Sequence, residues 1–107
     1  MSELTVEITK DNLDPLLKKN GLAAVDCWAN WCGPCRALAP MFERLATKYR
    51  GKMLFGKMDC DKNPELVKRF EIMAIPTILF FQEGQLKDTV VGLVDEYELE
   101  DHVKKLL

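Results

Sequence analysis

Residues 22–29, Leu-Ala-Ala-Val-Asp-Cys-Trp-Ala, form an almost unbroken apolar run. A half-exposed strand would alternate, so a run of this kind suits a central parallel strand covered on both faces. The fold must therefore supply layers on either side of a sheet. One acid, Asp26, interrupts the run. Directly after it comes Trp31-Cys32-Gly33-Pro34-Cys35. Over 34–50 the apolar residues Leu38, Met41, Phe42, Leu45, Ala46 and Tyr49 then recur at helical spacing, up to Gly51. Pro40 lies inside that helix and is expected to kink it.

The rest of the chain alternates in the same way. Residues 4–8 read as an edge strand, with Leu4, Val6 and Ile8 against Thr5 and Glu7. A short helix follows, with Thr9 or Asp14 as its N-cap, Pro15 at the first helical position after Asp14, and Asn20-Gly21 as the stop. Residues 53–59 form another strand, and Asn63-Pro64 caps and opens a helix through Phe70. The β-rich runs 77–81 and 86–91 flank Gln82-Glu83-Gly84-Gln85 and should pair as a hairpin. Asp95 and Glu98 make a capping-box-like start for a last helix carrying Leu99, Val103 and Leu106 on one face. Outside that face, Glu100 with Lys104 and Asp101 with Lys105 are expected i,i+4 pairs. The order is β-α-β-α-β-α-β-β-α: an α/β fold with a central mixed five-stranded sheet flanked by four helices, read as one domain over 1–107.

At 107 residues such a core forms without disulfide or metal staples, which leaves the four cysteines free for chemistry. The net charge of −2, with both signs spread along the chain, gives no footprint for nucleic acid or anionic lipid. The Met1-Ser2-Glu3 start carries no basic segment followed by an apolar one, and no apolar stretch reaches the ~18 residues of a membrane span. A cytoplasmic protein is expected, with neither nucleic acid nor membrane as a partner.

Cys32 falls where the buried strand gives way to the long helix, a position where active sites of open α/β sheets gather. Just ahead of the first helical turn, unpaired N–H groups and the positive end of the helix dipole favour a thiolate, which is the nucleophilic form. Cys35, from inside that turn, can attack a sulfur bound to Cys32, so the pair can close into a disulfide and reopen. The competing zinc reading needs a second close pair of ligands, and Cys27, Cys60 and His102 do not form one. No metal is expected. Asp26 stands out independently, because a carboxylate in a covered strand carries a desolvation cost that raises its pKa.

The segment 25–35, Val-Asp-Cys-Trp-Ala-Asn-Trp-Cys-Gly-Pro-Cys, together with Ile75-Pro76-Thr77, Gly84 and Gly92, resembles the thioredoxin family over the whole length of the chain. The resemblance implies a protein-disulfide reductase that acts as a general electron carrier. Cys32 would attack a substrate disulfide and Cys35 would resolve the mixed disulfide, with no cofactor bound and electrons supplied by a separate thioredoxin reductase. It further implies that Asp26 takes the Cys35 proton, directly or through water; pairing with Lys57 in the neighbouring strand is the structural alternative, and the two can coexist. Gly33 and Pro34 shape the turn. Pro76, which could simply be a strand-start proline, would follow a cis peptide beside the cysteines. Trp31, Ala74, Ile75, Val91 and Gly92, with Gly33 and Pro34, would dock disulfide-containing proteins. Trp28 reads as core, and a monomer is expected.

Two features depart from the family pattern. Cys27 stands where an aromatic is usual, and Cys60 where an apolar residue is common. If Asp26 and Lys57 share one face, Cys27, Met58 and Cys60 share the other. The two thiols read as small buried hydrophobes, with a regulatory second disulfide as the alternative. Met73 supplies no charge where some members have Arg, and His102 lies remote from the cysteines. Two other functions stand beside the reductase: an oxidant or isomerase, separated from it by reduction potential, and a binding module in which the cysteines matter little.

Overall fold

The structure, a computed structural model, describes residues 4–107; the acidic start Met1-Ser2-Glu3 lies outside the described residues. In chain order the elements are β1 (Thr5–Glu7), α1 (Leu13–Lys19), β2 (Leu22–Trp28), α2 (Gly33–Lys48), β3 (Leu54–Asp59), α3 (Pro64–Arg69), β4 (Thr77–Gln82), β5 (Gln85–Val91) and α4 (Glu96–Leu106). They build a five-stranded sheet in the order β1-β3-β2-β4-β5. The apolar run becomes β2 at the centre, parallel to β3 and antiparallel to β4, and β1 is parallel to β3. β4 and β5 form the expected hairpin. Its connection is tighter than expected: Gln82 pairs with Gln85, and Glu83 and Gly84 alone turn, both with positive φ. That is the geometry of a two-residue hairpin turn matching strand twist.

Residues alternate across β2, so each face of the sheet has its own core. On one face Ala24, Phe55, Ile78 and Phe80 pack against Leu38, Phe42 and Leu45 of α2 and Leu99 and Val103 of α4. On the other, Ala23, Val25, Cys27, Met58 and Leu79 meet Leu13 and Leu17 of α1 and Leu66 of α3. α2 continues through Pro40. An interior proline costs about 3 kcal/mol. Burial of Leu38, Phe42 and Leu45, at roughly 1.5–3 kcal/mol each, outweighs that cost.

Three local expectations are corrected. The residue flanking α1 is Asn12, not Thr9 or Asp14. Thr9 instead shapes the preceding turn, its Oγ1 accepting from the backbone N–H groups of Asp11 and Asn12, and Asp14 is claimed by Arg69 through two hydrogen bonds of 2.9 and 3.0 Å. Asn63 stands at the start of α3, but its buried side chain does not cap the helix. It accepts from Lys10 N and donates to Asp59 O, tying β3 to the loop after β1. Glu100 accepts from Tyr49 Oη and pairs with Lys48, both at 2.5 Å, which joins α4 to α2, and Lys104 acts on it through charge alone. Asp95 does cap α4, its Oδ1 accepting from Glu98 N at 2.8 Å.

Candidate active site

β2 delivers the chain to the sheet's C-terminal edge, and α2 begins there. Cys32 is the N-cap of α2, with extended φ/ψ of −93° and 109°, and its Sγ accepts from Cys35 N at 3.2 Å. Gly33 and Pro34 open the helix, Pro34 in the first turn where no backbone donor is lost. Cys32 and Cys35 form a disulfide with a Cα–Cα distance of 5.3 Å. The sulfurs thus sit against the unpaired N–H groups of a 16-residue helix, which stabilise a thiolate when the bond opens. Both cysteines are largely buried, packed with Ala29, Trp28 and Ile75.

Asp26 is fully buried, on the face of β2 that α2 covers, and its register partner on β3 is Lys57. Among the described residues neither carboxylate oxygen has a hydrogen-bond partner. Loss of hydration pushes Asp26 from the usual 3.8 up to about 7, with the Lys57 charge acting the other way. Lys57 also stands 5.6 Å over the Trp28 ring, and Trp28 is only partly buried, so it bridges core and site. A crevice of about 300 Å³ is lined by Cys35, Lys57, Trp28 and Ala39, room for water beside the Cys35 sulfur.

The opposite wall comes from the β4 side. The Ile75–Pro76 peptide is cis, Pro76 is buried, and its carbonyl accepts from Gly92 N at 2.8 Å. Ile75 packs on the cysteine cluster, while Ala74 and Val91 are exposed. Gly92 adopts φ +90°, which favours glycine, at the turn leaving β5. Gly33 and Gly92 leave open space where a Cβ would stand. Trp31, 69% exposed, is anchored by its Nε1–H donating to Asp61 Oδ2 at 3.0 Å. A groove of about 580 Å³ runs from Trp31 and Ile75 past Ile72 and Met73 to Val67 and Cys60.

The residues singled out in the sequence therefore converge at one edge of the sheet. Asp61, Ile72 and the groove floor were not among them. A signal existed: β2 and β3 are parallel neighbours, so Asp59-Cys60-Asp61 leaves the sheet at the edge where Trp31-Cys32 does. His102 is elsewhere, stacked on Phe80 with Nδ1 2.5 Å from Asp88 Oδ2. Among the described residues no group of three or more His, Cys, Asp or Glu stands together as a metal site, and no helix is long and apolar enough to cross a membrane.

The thioredoxin family model matches residues 4–105. The chain is 41% identical over 102 residues to a thioredoxin of Staphylococcus saprophyticus, covering 95% of this chain and 97% of that protein. It is 40% identical over 102 residues, with the same coverage, to a thioredoxin of Staphylococcus aureus strain Mu50. Among solved structures it is similar to a mutant thioredoxin from Halobacterium salinarum, at 31% identity and TM-score 0.88 over 95% of this chain and 89% of that one. Plasmodium falciparum thioredoxin matches at 31% identity and TM-score 0.89 over 95% and 99%. With this sheet order and this cysteine pair at disulfide distance, the chain belongs to the thioredoxin family and is a thiol-disulfide oxidoreductase, a reductase of protein disulfides.

Proposed function

We propose that Cys32 is the attacking thiolate and Cys35 the resolving thiol of a dithiol cycle. The carrying observation is the bond between them at the α2 N-terminus. In the reduced protein, the Cys32 Sγ thiolate attacks one sulfur of a substrate disulfide, the S–S bond breaks, and the other sulfur leaves as a thiolate that takes a proton from solvent. Asp26 takes the Cys35 proton, directly or through water. Cys35 Sγ then attacks Cys32 Sγ, the mixed disulfide breaks, and the second substrate sulfur leaves as a thiolate that takes up the proton held by Asp26. Two electrons have passed to the substrate, and Cys32–Cys35 is oxidised. A separate thioredoxin reductase returns it to the dithiol, with no cofactor bound to this chain.

Disulfide-containing proteins dock on Trp31, Gly33, Pro34, Ala74, Ile75, Val91 and Gly92; Pro76 fixes the segment that carries Ile75. The exposure of Trp31 and Val91 around buried sulfurs supports this, since an apolar rim gives a partner purchase without a deep pocket. Residues 1–107 act as one domain and a monomer in the cytoplasm, as a general electron carrier. The evenly mixed charge, net −2, supports protein rather than nucleic-acid or membrane partners.

The test is reduction of a protein disulfide. Cys32→Ser abolishes it, and Cys35→Ser accumulates a mixed disulfide through Cys32. Turnover by Cys32→Ser overturns the assignment.

A further inference from the structure

Two thiols lie outside the mechanism. Cys27 is fully buried on the face of β2 away from Asp26, and its register partner is Met58. Cys60 continues the β3 ladder, its N–H donating to Trp28 O at 2.8 Å, and it packs against the same core cluster as Cys27. The β period therefore turns both side chains to one side of neighbouring strands. Their environments are unequal. Cys60 is half-buried and lines the groove that reaches Trp31 and Ile75, whereas Cys27 is sealed behind it.

We propose that Cys27 and Cys60 are a second redox-active dithiol: Cys60 meets small neutral disulfides that enter the groove, and Cys27 resolves the resulting mixed disulfide. A hydrogen bond with Cys60, and then burial, push the Cys27 thiol well up. Its other polar contact, with Val25 O at 3.9 Å, is long even for a thiol donor. The same hydrogen bond draws Cys60 down, against burial and the carboxylates of Asp59 and Asp61. Cys60 is thus the readier thiolate, and the accessible one. Along the groove Asp61 and Glu71 outnumber the one cation, Lys68, which disfavours anionic reagents, and the partner is therefore a neutral disulfide.

The chemistry balances as two exchanges. Cys60 Sγ attacks one sulfur of RS–SR, the S–S bond breaks, and RS⁻ leaves with the Cys60 proton as RSH. Cys27 Sγ then attacks Cys60 Sγ as its proton passes to the departing sulfur, so a second RSH leaves and a Cys27–Cys60 disulfide remains. RSSR gains two electrons and the protein loses two.

The experiment uses the Cys32→Ser/Cys35→Ser protein, so its outcome is independent of the cycle described above. The folded protein is incubated with hydroxyethyl disulfide, acid-quenched and denatured, then analysed by thiol count and peptide mass mapping. The expected result is loss of both remaining thiols, no retained adduct, and a cross-linked peptide pair carrying residues 27 and 60. Adding Cys27→Ala stops the reaction at a single adduct on Cys60. If Cys27→Ala does not fold, the cross-linked peptide from the parent decides. Two findings overturn the proposal: both thiols still titrating, or an adduct on Cys60 with Cys27 still free.

Discussion

Asp26 on β2 and Lys57 on β3 stand opposite one another in the parallel register, yet among the described residues no hydrogen bond reaches the Asp26 carboxylate. Lys57 lies instead over the Trp28 ring. An acid held this way, fully buried and short of partners, is costly to ionise and useful for holding a proton near neutrality.

The cost is visible in stability. Asp26 has its folded pKa raised from 3.8 to about 7. Below about pH 4 both states are protonated and no penalty exists. Between about pH 4 and 7 the folded state keeps a proton that the unfolded chain has released, so stability falls as pH rises. Above about pH 7 the full penalty applies, on the order of 4 kcal/mol at 1.4 kcal/mol per tenfold. Asp26→Ala should therefore raise the urea midpoint at pH 8 by much more than at pH 5. An equal gain at both would show that charge is not the cause.

The same substitution should slow catalysis. Asp26→Ala is expected to reduce the rate of mixed-disulfide resolution at pH 7 by roughly tenfold, below the ~100-fold or more usual for general-base contributions because thiols also lose protons to water. The deficit should shrink toward pH 9. Stopped-flow kinetics measure it, and an unchanged rate at pH 7 would remove Asp26 from the proton path.

Asp61 holds Trp31 at the mouth of the groove through a single side-chain hydrogen bond. Asp61→Ala frees the indole at a stability cost of about 1 kcal/mol or less, since the bond is exposed. Reduction of a protein substrate should show a raised KM and an unaltered Cys32/Cys35 midpoint. A shifted midpoint with KM unchanged would mean that Asp61 acts on the sulfurs instead.

Gly56, in β3 between β1 and β2, has no room for a side chain: a Cβ there would stand 2.5 Å from Ile8 Cγ1 and 2.8 Å from Cδ1. Ile8 is fully buried and cannot swing out. Gly56→Ala should destabilise by about 1–3 kcal/mol, as overpacking does. Denaturant unfolding checks this, and a neutral result would show that the β1 end yields freely.

Much of this arrangement was legible in the residues. The apolar run at 22–29 located the central strand, and strand period set Cys27 on the face opposite Asp26; that Lys57 stands beside Asp26 on the neighbouring strand, with Cys60 on the Cys27 side, came through the resemblance. The cis Ile75–Pro76 peptide was reachable only through resemblance, because strand-start proline explained the same letters. Where local reasoning went astray, a distant partner had displaced the local one. Arg69 takes Asp14 from across 55 residues, and Asn63 commits its amide to Lys10 and Asp59 rather than to its own helix. The Trp31–Asp61 anchor was missed for the same reason, since nothing periodic connects positions 30 residues apart.

The central claim is that Cys32 and Cys35 work as a reductant, and the redox midpoint of that pair tests it most directly. Trp28, packed on the cysteine cluster, and Trp31 beside it report the state of the bond by fluorescence across dithiothreitol and glutathione buffers, with Cys35→Ser as control. The expected result is one two-electron transition below the cytosolic glutathione potential of roughly −220 to −260 mV. A midpoint at or above that range would contradict it in favour of an oxidant or isomerase, and no transition at all would contradict it in favour of a binding module.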